Sequence, residues 1–192
     1  IGGEHINGYA KLPERFRVTA VCDLNQDLAR NLAAQTGARS TADIDDVLAD
    51  PDIDIVDICL PPAMHVPVAI RVLETGKHAI VEKPVAGSLV EADQLIAAEA
   101  RSHGSLFPVF QYRYGKAFDQ LATLRAAGLP GRPVAAPIET HWSRDKQYYA
   151  NLWRGSWNHE LGGAVLIHAI HAHDLLTQHF GAVADVAAVL TT

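Results

Sequence analysis

Apolar positions along the chain follow two alternating rhythms. Short, nearly unbroken runs at 16–22, 53–60, 80–81 and 106–110 read as strands, the second broken only by Asp54 and Asp57. Between them, apolar residues recur at helical spacing over 26–35, 63–74 and 90–103, and Gly37, Gly76 and Gly104 supply the stops. Strands this apolar have both faces covered, which predicts a parallel sheet sandwiched by helices, the doubly wound arrangement. After Tyr112 the texture changes. A helix over 116–127 closes at Gly128, and 133–142 reads as a long strand. An aromatic and basic loop fills 143–157, Gly162 and Gly163 open an apolar helix over 164–180, and 183–190 reads as a last strand. Two strands and two helices are too few to cover a sheet and its edges. The pattern therefore predicts two domains. Residues 1–112 form a Rossmann-type α/β domain whose first strand and early phosphate loop are missing. Residues 113–192 begin an α+β domain, truncated here, whose sheet is predominantly antiparallel.

Composition narrows the function classes. The 192 residues are 48% hydrophobic and 20% charged, ordinary globular proportions that exclude disordered and fibrous chains. A net charge of −6 without a Lys/Arg run argues against nucleic-acid and anionic-membrane partners, leaving a small molecule as the expected substrate. Cys22 and Cys59 sit in apolar runs, where a thiol behaves as a small hydrophobe; this fits a reducing cytoplasm, the expected location. No apolar stretch is long enough to span a bilayer. The chain opens mid-pattern without an initiator methionine, so it reads as a fragment.

Candidate chemistry concentrates where the third strand ends. The run His78-Ala79-Ile80-Val81 leads directly into Glu82-Lys83-Pro84, and open α/β sheets keep their reactive groups at the carboxyl ends of strands. Proline removes the next backbone donor and restricts its predecessor, so Lys83 is aimed by its backbone. A surface turn with a solvated ion pair is the competing reading. Two other features point to a dinucleotide. Ile1-Gly2-Gly3-Glu4-His5 precedes a helical stretch, with Gly2 in the place of the last glycine of a phosphate loop, though a frayed terminus would look the same. Asp23 directly follows the strand at 16–22, 21 residues beyond Gly2, where a carboxylate accepts ribose hydroxyls and repels a 2'-phosphate. Helix capping by Asp23 or Asn25 competes for that assignment.

Taken in order, these segments resemble the Gfo/Idh/MocA family of NAD(P)-dependent sugar and polyol oxidoreductases. Beyond Ile1-Gly2-Gly3-Glu4-His5, Asp23 and Glu82-Lys83-Pro84, the resemblance rests on four segments: Leu60-Pro61-Pro62-Ala63-Met64-His65, Gln111-Tyr112-Arg113, Tyr148-Tyr149 with Trp153-Arg154-Gly155-Ser156-Trp157, and Gly162-Gly163 through Asp174. It implies NAD, with NADP less favoured, held by Gly2, His5, Asp23, Leu60, Pro61, Pro62, His65, Glu82, Lys83 and Gln111. It implies Lys83 and His171 as catalytic residues, with Arg113, Tyr149, Trp153, Arg154, His168 and Asp174 contacting a sugar or polyol. A homo-oligomer through the second-domain sheet is also implied.

The expected reaction is hydride transfer between a nicotinamide and a hydroxyl-bearing carbon, with Lys83 at the oxygen and His171 as proton acceptor. Where the family commonly carries Asp or Asn four residues before the base, Ile167 stands here. That departure keeps a nucleotide-binding regulator without turnover open, and the resemblance separately admits a relative of glycosidase or lyase type that retains its cofactor. His168, His171, His173 and Asp174 suggest a metal site, but on one helix residue 173 points roughly 200° from 171. His-Glu-x-x-His is absent as well, so no metal is expected.

Overall fold

The structure is a computed structural model and describes residues 1–151 and 153–189. The chain divides into two compact units, Ile1–Pro108 and Val109–Thr192.

The first unit alternates short parallel strands with helices. Its elements are α1 (Gly2–Tyr9), β1 (Ala20–Cys22), α2 (Gln26–Ala34), β2 (Arg39–Thr41), α3 (Ile44–Leu48), β3 (Ile55–Ile58), α4 (His65–Glu74), β4 (His78–Val81), α5 (Leu89–Arg101) and β5 (Leu106–Pro108). β1 pairs with β2, and β3, β4 and β5 form a second parallel set with β4 in the middle. The core lies against that second set, where Ile58, Val66, Ala69, Val72, Ala79, Val81 and Leu95 pack together. Complete burial of each larger aliphatic side chain there stabilises by roughly 1.5–3 kcal/mol.

Local chemistry sets the element ends. Asn25 caps α2 by accepting a hydrogen bond from Leu28 N at 3.1 Å, which settles the capping question in its favour over Asp23. Ser88 caps α5 by accepting from Glu91 N at 3.2 Å, and the Glu91 carboxylate accepts from Gly87 N at 2.7 Å. Gly76 ends α4 at φ +81°, a conformation that favours glycine. At Gly104 a Cβ would stand 2.0 Å from the Lys77 carbonyl oxygen, so the crossing of these two segments requires glycine.

The strands are shorter than the sequence pattern suggests. The apolar run at 16–22 pairs only at its last three residues, and 106–110 only at its first three. β2 and α3 lie in a stretch that the hydrophobic pattern does not mark, since Arg39-Ser40-Thr41 is polar and α3 is five residues long.

The second unit contains α6 (Lys116–Ala126), α7 (Trp157–Glu160), α8 (Ala164–Ile167) and α9 (Ile170–Phe180), with single 3-10 turns at Gln111–Arg113 and Tyr148–Ala150. Two expectations change here. No strand occurs among its described residues, so 133–142 and 183–189 lack the partner whose backbone would complete a ladder; residue 190 lies outside the described set. The helix expected over 164–180 is two helices, broken at His168 and Ala169, where Ala169 N donates to Ala164 O and the one-turn spacing lapses. Ile167 and His171 therefore do not share the face of one helix.

Candidate active site

In the first unit the chemistry gathers at the carboxyl ends of β3 and β4. Asp57 lies within β3 and Cys59 just after it, while Glu82 follows β4. α1 carries His5 into this group. Its Nδ1 donates to Asp57 Oδ2 at 2.7 Å and its Nε2 donates to Glu82 Oε1 at 3.1 Å. Tyr9, one turn further along α1, donates its hydroxyl to the same Asp57 oxygen at 2.7 Å. An imidazole that donates from both nitrogens to carboxylates is held as the cation. The hydrogen bond to Asp57 is the largest cause, followed by those to Cys59 and Glu82, and His5 is pushed up to about 12 from 6.5. Burial works against ionised Glu82, yet hydrogen bonds from His5 and from Lys83 N, with the charges of both residues, hold it below the usual carboxylate range.

A folded-state value raised above the unfolded one contributes stability that is fully present below pH 6.5 and is lost as pH rises toward about 12. The stability advantage of wild type over His5→Gln should therefore shrink steadily between about pH 7 and pH 10, as read by urea unfolding at each pH.

Lys83 itself is partly buried, and its peptide bond to Pro84 is cis. Its backbone N donates to Glu82 Oε2 at 3.0 Å. On the other flank, His65 at the start of α4 is 1% exposed, with Nδ1 2.7 Å from Pro84 O and Nε2 2.7 Å from Leu60 O. Both ring nitrogens of His65 are thus engaged with backbone carbonyls.

His5, Asp57 and Cys59 present possible ligand atoms within 4.8 Å of one another. A metal would require the Cys59 thiolate. Burial pushes that thiol up, outweighing the His5 hydrogen bond that opposes it, and Asp57 Oδ2 already accepts two hydrogen bonds. The donor set fits a proton-linked network better than a resident ion.

Asp23 ends β1, its N donating to Thr41 O at 3.2 Å and so extending the ladder by one bond. Its Oδ1 accepts from Asn25 N at 2.7 Å. Neighbouring Leu24 is 90% exposed and brings no charge, and Arg30 is engaged with Asp27. This acidic group at a strand end fits a ribose diol and opposes a phosphate there. Gly2 opens α1, where a Cβ would meet Cys59 Cβ at 3.7 Å, an ordinary contact.

The second unit gathers the remaining candidates. His171 on α9 is 3% exposed, stacked on Tyr112 at 4.5 Å between ring centroids and edge-on to Phe110 at 6.2 Å. One turn further, Asp174 accepts a bidentate pair from Arg113, whose Nε stands 2.8 Å from Oδ2. Arg113 and Asp174, expected separately as substrate contacts, thus hold each other. His173 is exposed, as its angular separation from His171 predicts. Arg154 lies over the rings of Trp153 and Tyr148 at 3.9 and 4.4 Å. It donates to Tyr148 Oη at 2.6 Å and to Glu160 Oε1 at 3.1 Å, and Gly155 N donates to Glu160 Oε2 at 2.7 Å. His168 lies beside Trp142 and Tyr148, and Tyr149 packs edge-on to Tyr148. Asp57 and Glu160 were not visible as site residues in the sequence. Each is a single carboxylate whose partners only folding brings near.

Comparison with known proteins shows the family. Residues 1–110 match the profile described as oxidoreductase family, NAD-binding Rossmann fold, and residues 118–192 match that of the GFO/IDH/MocA C-terminal domain. The chain belongs to the Gfo/Idh/MocA oxidoreductase family. It is 29% identical over 202 residues to levoglucosan dehydrogenase of Pseudarthrobacter phenanthrenivorans, a match covering 100% of this chain and 52% of that protein. To inositol 2-dehydrogenase of Salmonella typhimurium it is 28% identical over 137 residues, 70% of this chain and 41% of that one. Among solved structures, the WlbA dehydrogenase of Bordetella pertussis in complex with NADH and UDP-GlcNAcA superposes with a TM-score of 0.87 at 30% identity, covering 94% of this chain and 52% of that one. The chain thus spans about half the length of such relatives.

Proposed function

We propose that the intact protein is an NAD-dependent oxidoreductase that transfers hydride between the nicotinamide and a hydroxyl-bearing carbon of a sugar, cyclic polyol or related small molecule. The observation that carries this reading is the Glu82-Lys83-Pro84 turn. A lysine stands at the carboxyl end of a parallel strand, anchored through Glu82, in a chain of this family. The dehydrogenases of sugars and inositol among its relatives support the substrate class.

NAD, when bound, supplies the hydride acceptor. Gly2, Leu60, Pro61, Pro62 and Gln111 would face that cofactor, with Asp23 accepting ribose hydroxyls. Glu82, bonded to His5, would border the same group, and His65, at hydrogen-bond distance from Pro84 O, would adjoin it through the Glu82-Lys83-Pro84 turn. The Lys83 ammonium would donate to the substrate hydroxyl oxygen and stabilise negative charge there as its proton leaves. His171 would take that proton at a ring nitrogen. Arg154, Trp153 and Tyr149 offer donors and aromatic faces suited to a hydroxylated ring, and Arg113, His168 and Asp174 complete the substrate-facing set. In this reading residues 1–112 bind the cofactor, and residues 113–192, which form no strand among their described residues, belong to a substrate and oligomerisation domain that in the intact protein would pair copies through a mainly antiparallel sheet. The protein would work in the cytoplasm on a small molecule, away from nucleic acid and membranes. No helix among the described residues is long and apolar enough to cross a membrane.

Incubating the intact protein with NAD and a panel of sugars, polyols and sugar acids tests the proposal by the absorbance of NADH. The proposal expects NADH to accumulate with at least one of them. Tight NAD binding with no reduction across the panel would favour a regulatory role, and products formed without free NADH would favour a glycosidase or lyase that recycles its cofactor. Asp23→Ala should relax cofactor choice, raising kcat/KM for NADP relative to NAD by about tenfold, the effect of removing one charge repulsion of roughly 1.4 kcal/mol. An unchanged ratio would remove Asp23 from cofactor selection.

A further inference from the structure

We propose that His5 and His65 are positioning residues that grip the Glu82-Lys83-Pro84 turn from its two flanks and so fix where the Lys83 amine stands. The inference rests on the catalytic role given to Lys83 above.

The need for such a grip follows from the backbone. The ladder between β3 and β4 extends as far as Glu82, whose N donates to Ile58 O at 3.1 Å. Two residues later Pro84 has no N–H to pair, so the sheet cannot hold the chain beyond Lys83. Side chains from two helices take over. From α1, His5 Nε2 donates to Glu82 Oε1 at 3.1 Å, leaving Oε2 to accept from Lys83 N at 3.0 Å. From α4, His65 Nδ1 lies 2.7 Å from Pro84 O, while its Nε2 lies 2.7 Å from Leu60 O. His65 thereby ties the segment after β4 to the segment after β3. The residues on either side of Lys83 are each tethered by a histidine, and those histidines are 60 positions apart in the sequence.

His65 is 1% exposed and Glu82 6%, so these tethers are shielded from competition by water. His5 is braced in turn by Asp57, which Tyr9 also holds. Each histidine is occupied with protein groups, an arrangement that serves placement better than direct cofactor contact. A displacement of about 1 Å at a reacting group can lower turnover by about 10²-fold, so the arrangement has a measurable consequence.

The test uses the intact protein and three variants, His5→Gln, His65→Ala and His65→Asn. Four quantities are read: kcat and KM with the best substrate, NAD affinity, thermal midpoint, and the rate at which an amine-acylating reagent labels Lys83 relative to Lys77, measured by mass spectrometry. The expected result is a fall in kcat of about 10- to 100-fold in His5→Gln and His65→Ala with substrate KM and NAD affinity nearly unchanged. Relative labelling of Lys83 should change, and His65→Asn, which keeps a donor close to Nδ1, should recover part of both. In a Lys83→Ala background the histidine substitutions should cost little more, since they act through the amine. Should His65→Ala fail to fold, His5→Gln carries the test, because His5 is at the rim of the packed region with 17% of its side chain exposed.

Unchanged labelling and kcat together with weakened NAD binding would overturn the proposal and return both histidines to cofactor contact. Losses that multiply in full with Lys83→Ala would overturn it too. If wild type shows no NAD reduction but the labelling of Lys83 still shifts in the variants, the grip stands and the dehydrogenase reading fails.

Discussion

Replacing Lys83 with Ala should lower kcat for NAD reduction by about 10²–10³-fold in the intact protein, with NAD affinity close to wild type. The magnitude is that of removing one preorganised charged donor from a developing oxyanion. Lys83 is partly buried at the end of β4, its backbone is tied to Glu82, and Glu82 and Pro84 on either side of it are buried. Preorganised in this way, the ammonium needs little rearrangement when charge develops on the substrate oxygen, and so its removal acts on kcat more than on KM. Lys83→Arg keeps the charge but replaces a compact ammonium with a planar fork, and should recover little. Steady-state kinetics of the three proteins read this directly; full activity in Lys83→Ala would sink the mechanism.

The second large effect concerns His171. Its substitution by Asn should lower kcat by about 10²–10⁴-fold, the range for loss of a positioned general base. The residual rate should climb with pH as hydroxide takes over the proton, so a pH profile separates a lost base from a lost fold. The imidazole sits between aromatic rings, stacked on Tyr112 and edge-on to Phe110, which fixes its plane. Asn fills much less of that slot, so near-ultraviolet circular dichroism should accompany the kinetics. A variant that retained wild-type kcat across the pH range would remove His171 from the chemistry.

Ile167 takes on a different meaning in the structure. On a continuous helix an apolar residue one turn before the base would leave it without an orienting partner. The break between α8 and α9 removes that relation, and Ile167, 5% exposed, packs as an apolar core residue.

How much of this could be seen in the sequence depended on whether the signal was local. In the first unit the strand and helix rhythms, Gly76 and the Glu82-Lys83-Pro84 turn were legible, because burial on both faces of a parallel sheet leaves unbroken apolar runs. β2 escaped because three polar residues carry no period, and α3 because five residues barely make a turn and a half. The second unit was read less well. The run at 133–142 has the composition of a strand, yet a strand exists only through a partner, and none occurs among the described residues of that unit. The break at His168 has no proline or glycine to announce it. The networks were least legible of all. His5 meets Asp57 across 52 positions and Glu82 across 77, and Arg113 meets Asp174 across 61. Family resemblance named most of these residues as site members, but only the fold shows that several hold one another.

The central claim is that hydride moves directly from substrate to NAD, and isotope transfer tests it most directly. The intact protein would be given NAD and an active substrate deuterated at the hydroxyl-bearing carbon, and the nicotinamide product analysed by mass spectrometry and NMR. The account predicts that the deuterium arrives on the nicotinamide ring of NADH. Deuterium lost to solvent, or oxidised product formed with an unlabelled nicotinamide, would contradict it.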